Sequence, residues 1–381
     1  MKIISTGRTN SDLEMDERIK KEAKTLKKLG HDPELVFLDR KNKSNSGNIS
    51  STISFRTISL LSRHVFPQGK FLVIKALEMH LKLIGVIMFK KWDVLWVHDH
   101  KSVGMIFFGW LAKKMFGKKL VWDQHELGPD NLLNKRLYHK LLDLCDVIIQ
   151  ANEERAQYLK KNTSSSTAEK IHVLENYPTI DSVKDPVSLD EKFNKWLDGS
   201  DYYLFQGGAY KHRRIFECIE AIYAFPEIKL VVLGPIKADV KNAILTRWPD
   251  YKSRIYITGW TLPKEFRSFT KEARASLIFY ENLDINHWLC APNRFYFALA
   301  NEIPVICGPN PPMKRIVINK EVGIVCDSNG EDVKEIVDAI KKVDDTFSQY
   351  KENCNKTRQD YFWRTQEESI KEIITSSLQK Y

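Results

Sequence analysis

The stretch Cys290–Val317, CAPNRFYFALANEIPVICGPNPPMKRIV, decides how the rest of the 381-residue chain is read. It begins with a polar loop, Ala291-Pro292-Asn293-Arg294, where Pro292 suits a helix start because its ring forfeits no helical hydrogen bond there. The apolar run Phe295–Ala300 is too short for more than two helical turns. Ile303–Cys307 is short, β-branched and closed by Gly308-Pro309, the pattern of a buried parallel strand. Loop, short helix, strand and a Gly/Pro loop at the strand's carboxyl end make the usual ligand geometry of an open α/β sheet. A helix N-terminus with Arg294 beside it suits a phosphate. Taken alone, the same residues also fit an ordinary βαβ unit with an exposed arginine.

Working outward, the same grammar recurs. Ile3-Ile4-Ser5 reads as a first buried strand ending in a Gly7 turn, followed by a helix with Ile19, Ala23 and Leu26 on one face, a Gly30 stop, and a strand at Leu35–Leu38. Residues 41–54 are polar and read as loop. Val94–Val97 ends at His98-Asp99-His100, and Leu120–Trp122 ends at Asp123-Gln124-His125-Glu126. Titratable residues at the carboxyl ends of successive parallel strands point to a ligand crevice. Cys145–Asn152 and Ile171–Leu174 are further strands with polar ends, and 178–200, rich in Asp, Ser and Lys, reads as a linker. Beyond it, Tyr202–Phe205 leads into Gly207-Gly208, then His212-Arg213-Arg214 and a helix from Ile215, a phosphate-site layout. Strands follow at Leu230–Gly234, Ile255–Ile257 (leading to Gly259-Trp260) and Ala275–Tyr280.

Composition bounds the classes of function. A hydrophobic content of 43% supports packed cores, and the length suits two domains. The six cysteines are scattered, without CxxC or zinc-like spacing, which reads as free thiols in a reducing compartment. Residues 41–120 hold 14 Lys/Arg against 3 acidic residues, so this segment carries the whole excess of a chain whose net charge is +10. Such a patch can face anionic lipid, nucleic acid or an acidic substrate. No RNP, zinc-finger or helix-turn-helix signature accompanies it, which argues against nucleic acid. The mixed apolar and basic stretch 63–92 reads either as a core-facing helix with solvated lysines or as an interfacial helix on an anionic membrane. Its longest apolar run, Leu83–Phe89, is far short of the ~20 residues a transmembrane helix needs, so no spanning segment is expected.

The segment APNRFYFALANEIPVI resembles the donor-site segment of family-4 retaining glycosyltransferases of the GT-B fold, with Pro292, Asn293, Arg294, Pro304, Val305 and Ile306 matching the family pattern. YLFQGGAYKHRRIFECIEAI, the His98-Asp99 pair, the Asp123–Glu126 stretch and LENYP resemble further family motifs in the expected order. The resemblance implies an α/β GT-B fold: two Rossmann-like doubly wound domains facing across a cleft. It places an acceptor-side domain at 1–177 and a nucleotide-sugar domain at 201–357, with the terminal helix, about 358–381, packing back on the first domain. It assigns catalytic positions to His98, Glu126 and Arg213, and donor contacts to Gly207, Gly208, Arg213, Gly259, Trp260, Asn293 and Arg294. Gly7, Arg8, His100 and His125 fall on the acceptor side. Several positions depart from the pattern. Phe297 and Leu289 stand where the family has carboxylates, the former binding ribose, and Glu302 replaces a glycine, as does Arg214 in the Gly-Gly motif.

The implied activity is transfer of a sugar, hexosyltransferase-like, from a nucleotide-sugar to a saccharide or lipid-linked saccharide, with retention and with neither metal nor cofactor. The implied setting is bacterial O-antigen (lipopolysaccharide), capsule or other surface-glycan synthesis. The enzyme would be cytoplasmic and peripheral on the inner membrane face through the basic 41–120 segment. Two other readings share the frame: a non-catalytic nucleotide- or sugar-binding protein, and a nucleotide-sugar epimerase or hydrolase.

Overall fold

The protein is described as a computed structural model over residues 1–8, 16–128, 136–184, 190–262 and 265–378. Two contact units are present: Met1–Asn176 with Gln366–Tyr381, and Tyr177–Thr365. Each is built on one twisted sheet.

In the first unit eight strands run in the order β3-β4-β2-β1-β5-β6-β7-β8. They are β1 (Lys2–Arg8), β2 (Asp32–Leu38), β3 (Asn45–Ile49), β4 (Ile53–Ile58), β5 (Val94–His98), β6 (Lys119–Gln124), β7 (Val147–Gln150) and β8 (Ile171–Val173). All pairings are parallel except β3 with β4. The central strands are buried along their length, as sheets covered on both faces require. Helix α1 (Glu17–Lys28) lays Ile19 and Ala23 against Phe37, Ile53 and Phe55, with Asp16 capping its first turn. Helices α2 (Leu72–Met88) and α3 (Val103–Phe116) pack against β2 and β6 respectively.

Two expectations need correction here. The polar segment 41–54 is not loop: β3 and β4 form a hairpin at the sheet edge. Ile53 and Phe55, two residues apart, put their side chains under α1, a period-2 signal that polar neighbours hide. Strand β3 is exposed at four of its five residues, and pairing with β4 holds it. Nor does β1 stop at a Gly7 turn. Gly7 continues the strand, paired with Phe37 and His98, and a Cβ there would sit 2.7 Å from the His98 carbonyl oxygen.

In the second unit six parallel strands run β11-β10-β9-β12-β13-β14: β9 (Tyr202–Gln206), β10 (Lys229–Leu233), β11 (Ile255–Ile257), β12 (Ser276–Ile278), β13 (Val305–Cys307) and β14 (Gly323–Val325). Counted within the unit this is 3-2-1-4-5-6, the doubly wound order whose switch point lies between the first and fourth strands, here β9 and β12. Residues 190–200, read as linker, instead contribute α4 (Glu191–Leu197), whose Phe193 is buried in this unit's core. The 185–189 part of that reading and 379–381 lie outside the described residues. Helix α5 (Ile215–Tyr223) follows the Gly207-Gly208 loop, as its sequence predicts. The Cys290–Val317 stretch forms α6 (Asn293–Ala300), buried from Arg294 onward, then β13 and α7 (Pro311–Lys320), with proline in its first turn. The last described elements are the kinked helix Val333–Thr357, the helix Trp363–Ile373 and the π-helical segment Ile374–Leu378. No disulfide forms: all six cysteines are free, and only Cys290 is not fully buried.

Candidate functional site

The loops at the switch point of the second unit bring two arginines together. Arg294, in the first turn of α6, is buried (6% exposed) and donates from Nη1 to the Gln206 carbonyl at 2.9 Å and from Nη2 to the Phe279 carbonyl at 3.2 Å. It thereby ties the ends of β9 and β12. Its guanidinium lies 4.6 Å from the Tyr280 ring centre. Arg213 lies between two rings, 5.2 Å from Tyr210 and 5.5 Å from Tyr280, and donates to the Gly208 carbonyl at 3.1 Å. A Cβ on Gly207 would be 2.9 Å from Arg213 Nη1 and 3.9 Å from Arg294 Nη1, so both cations converge on that glycine. Gly207 has φ +95, which favours glycine independently of the crowding.

The charge of these two groups is not offset. Burial lowers the Arg294 pKa, and Arg213 nearby lowers it further. Among the described residues neither arginine has a carboxylate ion-pair partner. Arg214, next in the chain, is the contrast: Glu331 lies at 3.2 Å, and Glu217 and Glu281 at 3.5 Å. A pair of clustered guanidiniums with no carboxylate partner among the described residues, at the strand order's reversal, has the chemistry to receive an anion. Lys237 adds a third cation, 4.9 Å from the Tyr210 ring.

A cavity of about 680 Å³ opens beside β11, lined in part by Pro235, Ile236, Tyr256, Thr258, Gly259 and Trp260. Ala209 N–H donates to the Pro235 carbonyl at 3.0 Å, so the loop carrying Gly207-Gly208 abuts the cavity wall. Trp260 is 85% exposed, and Gly259 has φ +72. Such a space, with apolar and aromatic walls, suits a planar base.

The positions that depart from the family pattern make sense in their surroundings. Phe297 is buried against Val183, Phe266, Ala300 and Phe362, and offers nothing to a hydroxyl. Arg214 and Glu302, which stand where the resemblance expects glycines, adopt positive φ, +58 and +62, the region glycine favours. Each is fixed by ion pairs, Glu302 by Arg358. Asn293 is exposed at the first position of α6.

The first unit gathers a second polar group at the ends of β5 and β6. His98 Nδ1 lies 3.1 Å from His125 Nε2 and 3.3 Å from Asp123 Oδ2, and His125 Nε2 lies 3.2 Å from the same oxygen. Arg18 donates to the other Asp123 oxygen and to Glu22, both at 2.8 Å. Burial pushes the Asp123 carboxyl up, but Arg18 and the two histidines overcome it and hold it well below the usual range. Glu22 goes the other way: burial and Asp123 raise it well above its ordinary value, although Arg18 pulls it down. Burial lowers His98, which is therefore neutral, with Nε2 buried and unpartnered. His98, Asp123 and His125 each present a ligand atom within 4.8 Å of the others, a donor set a divalent ion could use. Arg18 already supplies a positive charge to that carboxylate.

Asp99 adopts φ +64 and ψ 153, a strained conformation for a non-glycine residue, with His100 Nδ1 2.7 Å from its carboxylate. Glu126 is exposed in the following loop. Gly7 lies against His98 and Ser102, and Arg8 is exposed at the end of β1. Sequence reasoning missed Tyr210, Tyr280 and Lys237 in the second unit, and Arg18 and Glu22 in the first. The Arg-x-x-x-Glu spacing on α1 was a signal, since it puts both groups on one helix face.

No family model matches the chain, and no curated protein matches its sequence. Solved structures match over its whole length. Sucrose-phosphate synthase from Thermosynechococcus elongatus has TM-score 0.76 at 12% identity, covering 99% of this chain and 98% of that one. An E. coli trehalose-6-phosphate structure bound with UDP-2-fluoro glucose has TM-score 0.73 at 11% identity, with 100% of both chains covered. HepE from Anabaena, in complex with UDP and glucose, has TM-score 0.71 at 12% identity, covering 99% and 100%. At these identities the likeness is one of fold: the chain has the GT-B fold, with two parallel-sheet Rossmann-like domains.

Proposed function

We propose that this protein is a glycosyltransferase of the family-4 type, moving a sugar from a nucleoside-diphosphate donor to a saccharide or lipid-linked saccharide. The observation that carries this reading is the uncompensated Arg213–Arg294 pair converging on Gly207. A departing diphosphate gains negative charge as the glycosidic bond breaks, and preorganised guanidiniums stabilise that charge without reorganising. The adjoining cavity takes the base. The UDP and UDP-sugar held by the HepE and E. coli structures make a uridine nucleotide the first donor to test.

Transfer proceeds with retention and without a metal. The leaving phosphate acts as base on the same face of the sugar, so no carboxylate nucleophile is needed. Acceptor handling belongs to His98, His100, His125 and Glu126 in the first unit. His98, neutral and held by Asp123 and His125, orients a hydroxyl. The product is a bacterial surface glycan, O-antigen or capsule, made on the cytoplasmic side of the membrane.

Phe297 favours a second reading, a non-catalytic binding protein, because the ribose contact its position provides in the family is replaced by apolar packing. Incubating the protein with UDP-, GDP-, ADP-, TDP- and CMP-sugars, with and without saccharide acceptors and in the presence of EDTA, separates the two. Nucleotide release that rises with acceptor supports the transferase. Binding of a nucleotide without release supports the second reading, release independent of acceptor points to a hydrolase, and conversion of the donor sugar with the nucleotide still attached points to an epimerase.

A further inference from the structure

One helix of the first unit is apolar on both sides. Helix α2 buries Met79, Leu83 and Ile87 against the sheet. Its opposite stripe, Val73, Leu77, Leu81 and Met88, is 82%, 59%, 62% and 54% exposed, and Phe89 just beyond it is 85% exposed. Helix α3 repeats the pattern: Phe107, Leu111 and Met115, at four-residue spacing, are exposed, as is Phe116. The two helices touch where Gly104 N–H meets His80 Nε2 at 3.3 Å, so the two stripes belong to neighbouring elements. A water-facing helix side is normally polar, and isolated exposed leucines are ordinary, whereas two adjacent apolar stripes are not.

The charges around these stripes say what covers them. Lys70 precedes α2, Lys91 follows it, Lys101 precedes α3 and Lys114 lies in its last turn. All four are exposed, and none is ion-paired among the described residues. By contrast Lys82, Lys90 and Lys113 are paired with Glu78, Glu34 and Asp146. Apolar stripes edged by free lysines are complementary to an anionic lipid surface: the apolar side chains enter the acyl boundary while the ammonium groups meet the headgroups. A second copy of the chain is a poorer match, since a two-fold contact would bring the same lysines face to face. No described helix is long and apolar enough to cross a membrane, which leaves lateral docking as the geometry.

We propose that the outward stripes of α2 and α3, edged by Lys70, Lys91, Lys101 and Lys114, form a docking surface for anionic lipid bilayers. This localises the membrane side of the proposed function to particular residues, and it does not depend on the nucleotide site.

The test is co-sedimentation of the full chain with phosphatidylcholine vesicles, with and without phosphatidylglycerol, at low and high salt. The wild-type chain is expected to sediment with the anionic vesicles and to be weakened by salt. The triple variant Val73→Ser/Leu77→Ser/Leu81→Ser should bind about tenfold more weakly or worse. Lys70→Gln/Lys91→Gln/Lys114→Gln should lose the preference for anionic over neutral vesicles. Both variants change exposed side chains, so their melting temperatures and nucleotide binding should match the wild type. That match separates failure of docking from failure of the donor site. Absence of sedimentation with either vesicle overturns the proposal, as does unchanged binding by the serine variant. A concentration-dependent dimer abolished by the serine substitutions would overturn it in favour of self-association.

Discussion

Replacing Arg213 with alanine tests the donor site most directly. The side chain is half-buried, so a diphosphate oxygen about 4 Å away at an effective dielectric near 20 would interact by at most about 4 kcal/mol before desolvation. Charge-assisted hydrogen bonds have net values of about 1.5–3 kcal/mol. With Arg294 still present to share the charge, a loss of about 2 kcal/mol is expected, which is about a thirtyfold rise in Kd. The fold should barely notice. Arg213 donates one bond to the Gly208 carbonyl and rests on Tyr210 and Tyr280, contacts together worth about 1 kcal/mol at a half-exposed site. Calorimetric titration of wild type and variant with UDP and with uridine, alongside thermal melts, reads both quantities. The expected result is a large loss for UDP, little change for uridine and a small shift in melting temperature. Equal UDP affinity in the two proteins would refute the anion-receptor argument, and an equal loss for uridine would show that the substitution acts on the base or on the fold.

Other perturbations separate binding from architecture. Arg294→Met should weaken UDP and also lower the melting temperature, because it leaves the Gln206 and Phe279 carbonyls at the β9 and β12 ends without their donor, at about 1–3 kcal/mol. Gly207→Ala should cost about 1 kcal/mol or more in a denaturant melt and displace Arg213, so that UDP affinity falls although no charge is removed. Phe297→Glu, which supplies the carboxylate the resemblance expects there, should destabilise the protein by about 3 kcal/mol or more, because it places a carboxyl among Val183, Phe266, Ala300 and Phe362. A gain in ribonucleotide affinity without destabilisation would contradict that packing. Burial pushes the Asp99 carboxyl up, but His100, His125 and Lys101 outweigh it and bring the pKa down to about 2 from 3.8. Its ionised form therefore adds about 2 kcal/mol above pH 4, lost as pH falls through about 2. Asp99→Asn should accordingly lose its stability deficit relative to wild type between about pH 4 and pH 2, as read by urea melts across that range.

What the amino-acid order determined by itself was the frame. Short apolar, β-branched runs such as Val94–Val97 and Val305–Cys307 read as strands buried on both faces, and the glycines and polar residues at their ends marked the two groups of candidate residues. Arg213, Arg294 and His98 stood out as candidates because they are charged or titratable side chains at strand ends or a helix start, and the carboxyl ends of parallel strands are the usual place for ligands. Arg214 and Glu302 looked like departures from the motif, and only the backbone shows that both adopt the positive φ that glycine favours. The resemblance favoured Arg213 over Arg214, but why only one of the two lacks a carboxylate partner was beyond the sequence. Arg213 and Arg214 are adjacent in the chain, and it is Glu217, Glu281 and Glu331, the last more than a hundred residues away, that neutralise one and not the other. The apolar helix Leu72–Met88 makes the same point from the surface. Apart from Lys75, Glu78, His80 and Lys82 it is apolar, so periodicity left more than one candidate core face. Packing against the sheet chose Met79, Leu83 and Ile87, and left the Val73–Leu77–Leu81 stripe facing outward. Local pattern settles which element forms, because backbone geometry repeats every two or 3.6 residues. Partners distant in sequence settle what each side chain meets, and that is decided when the elements pack.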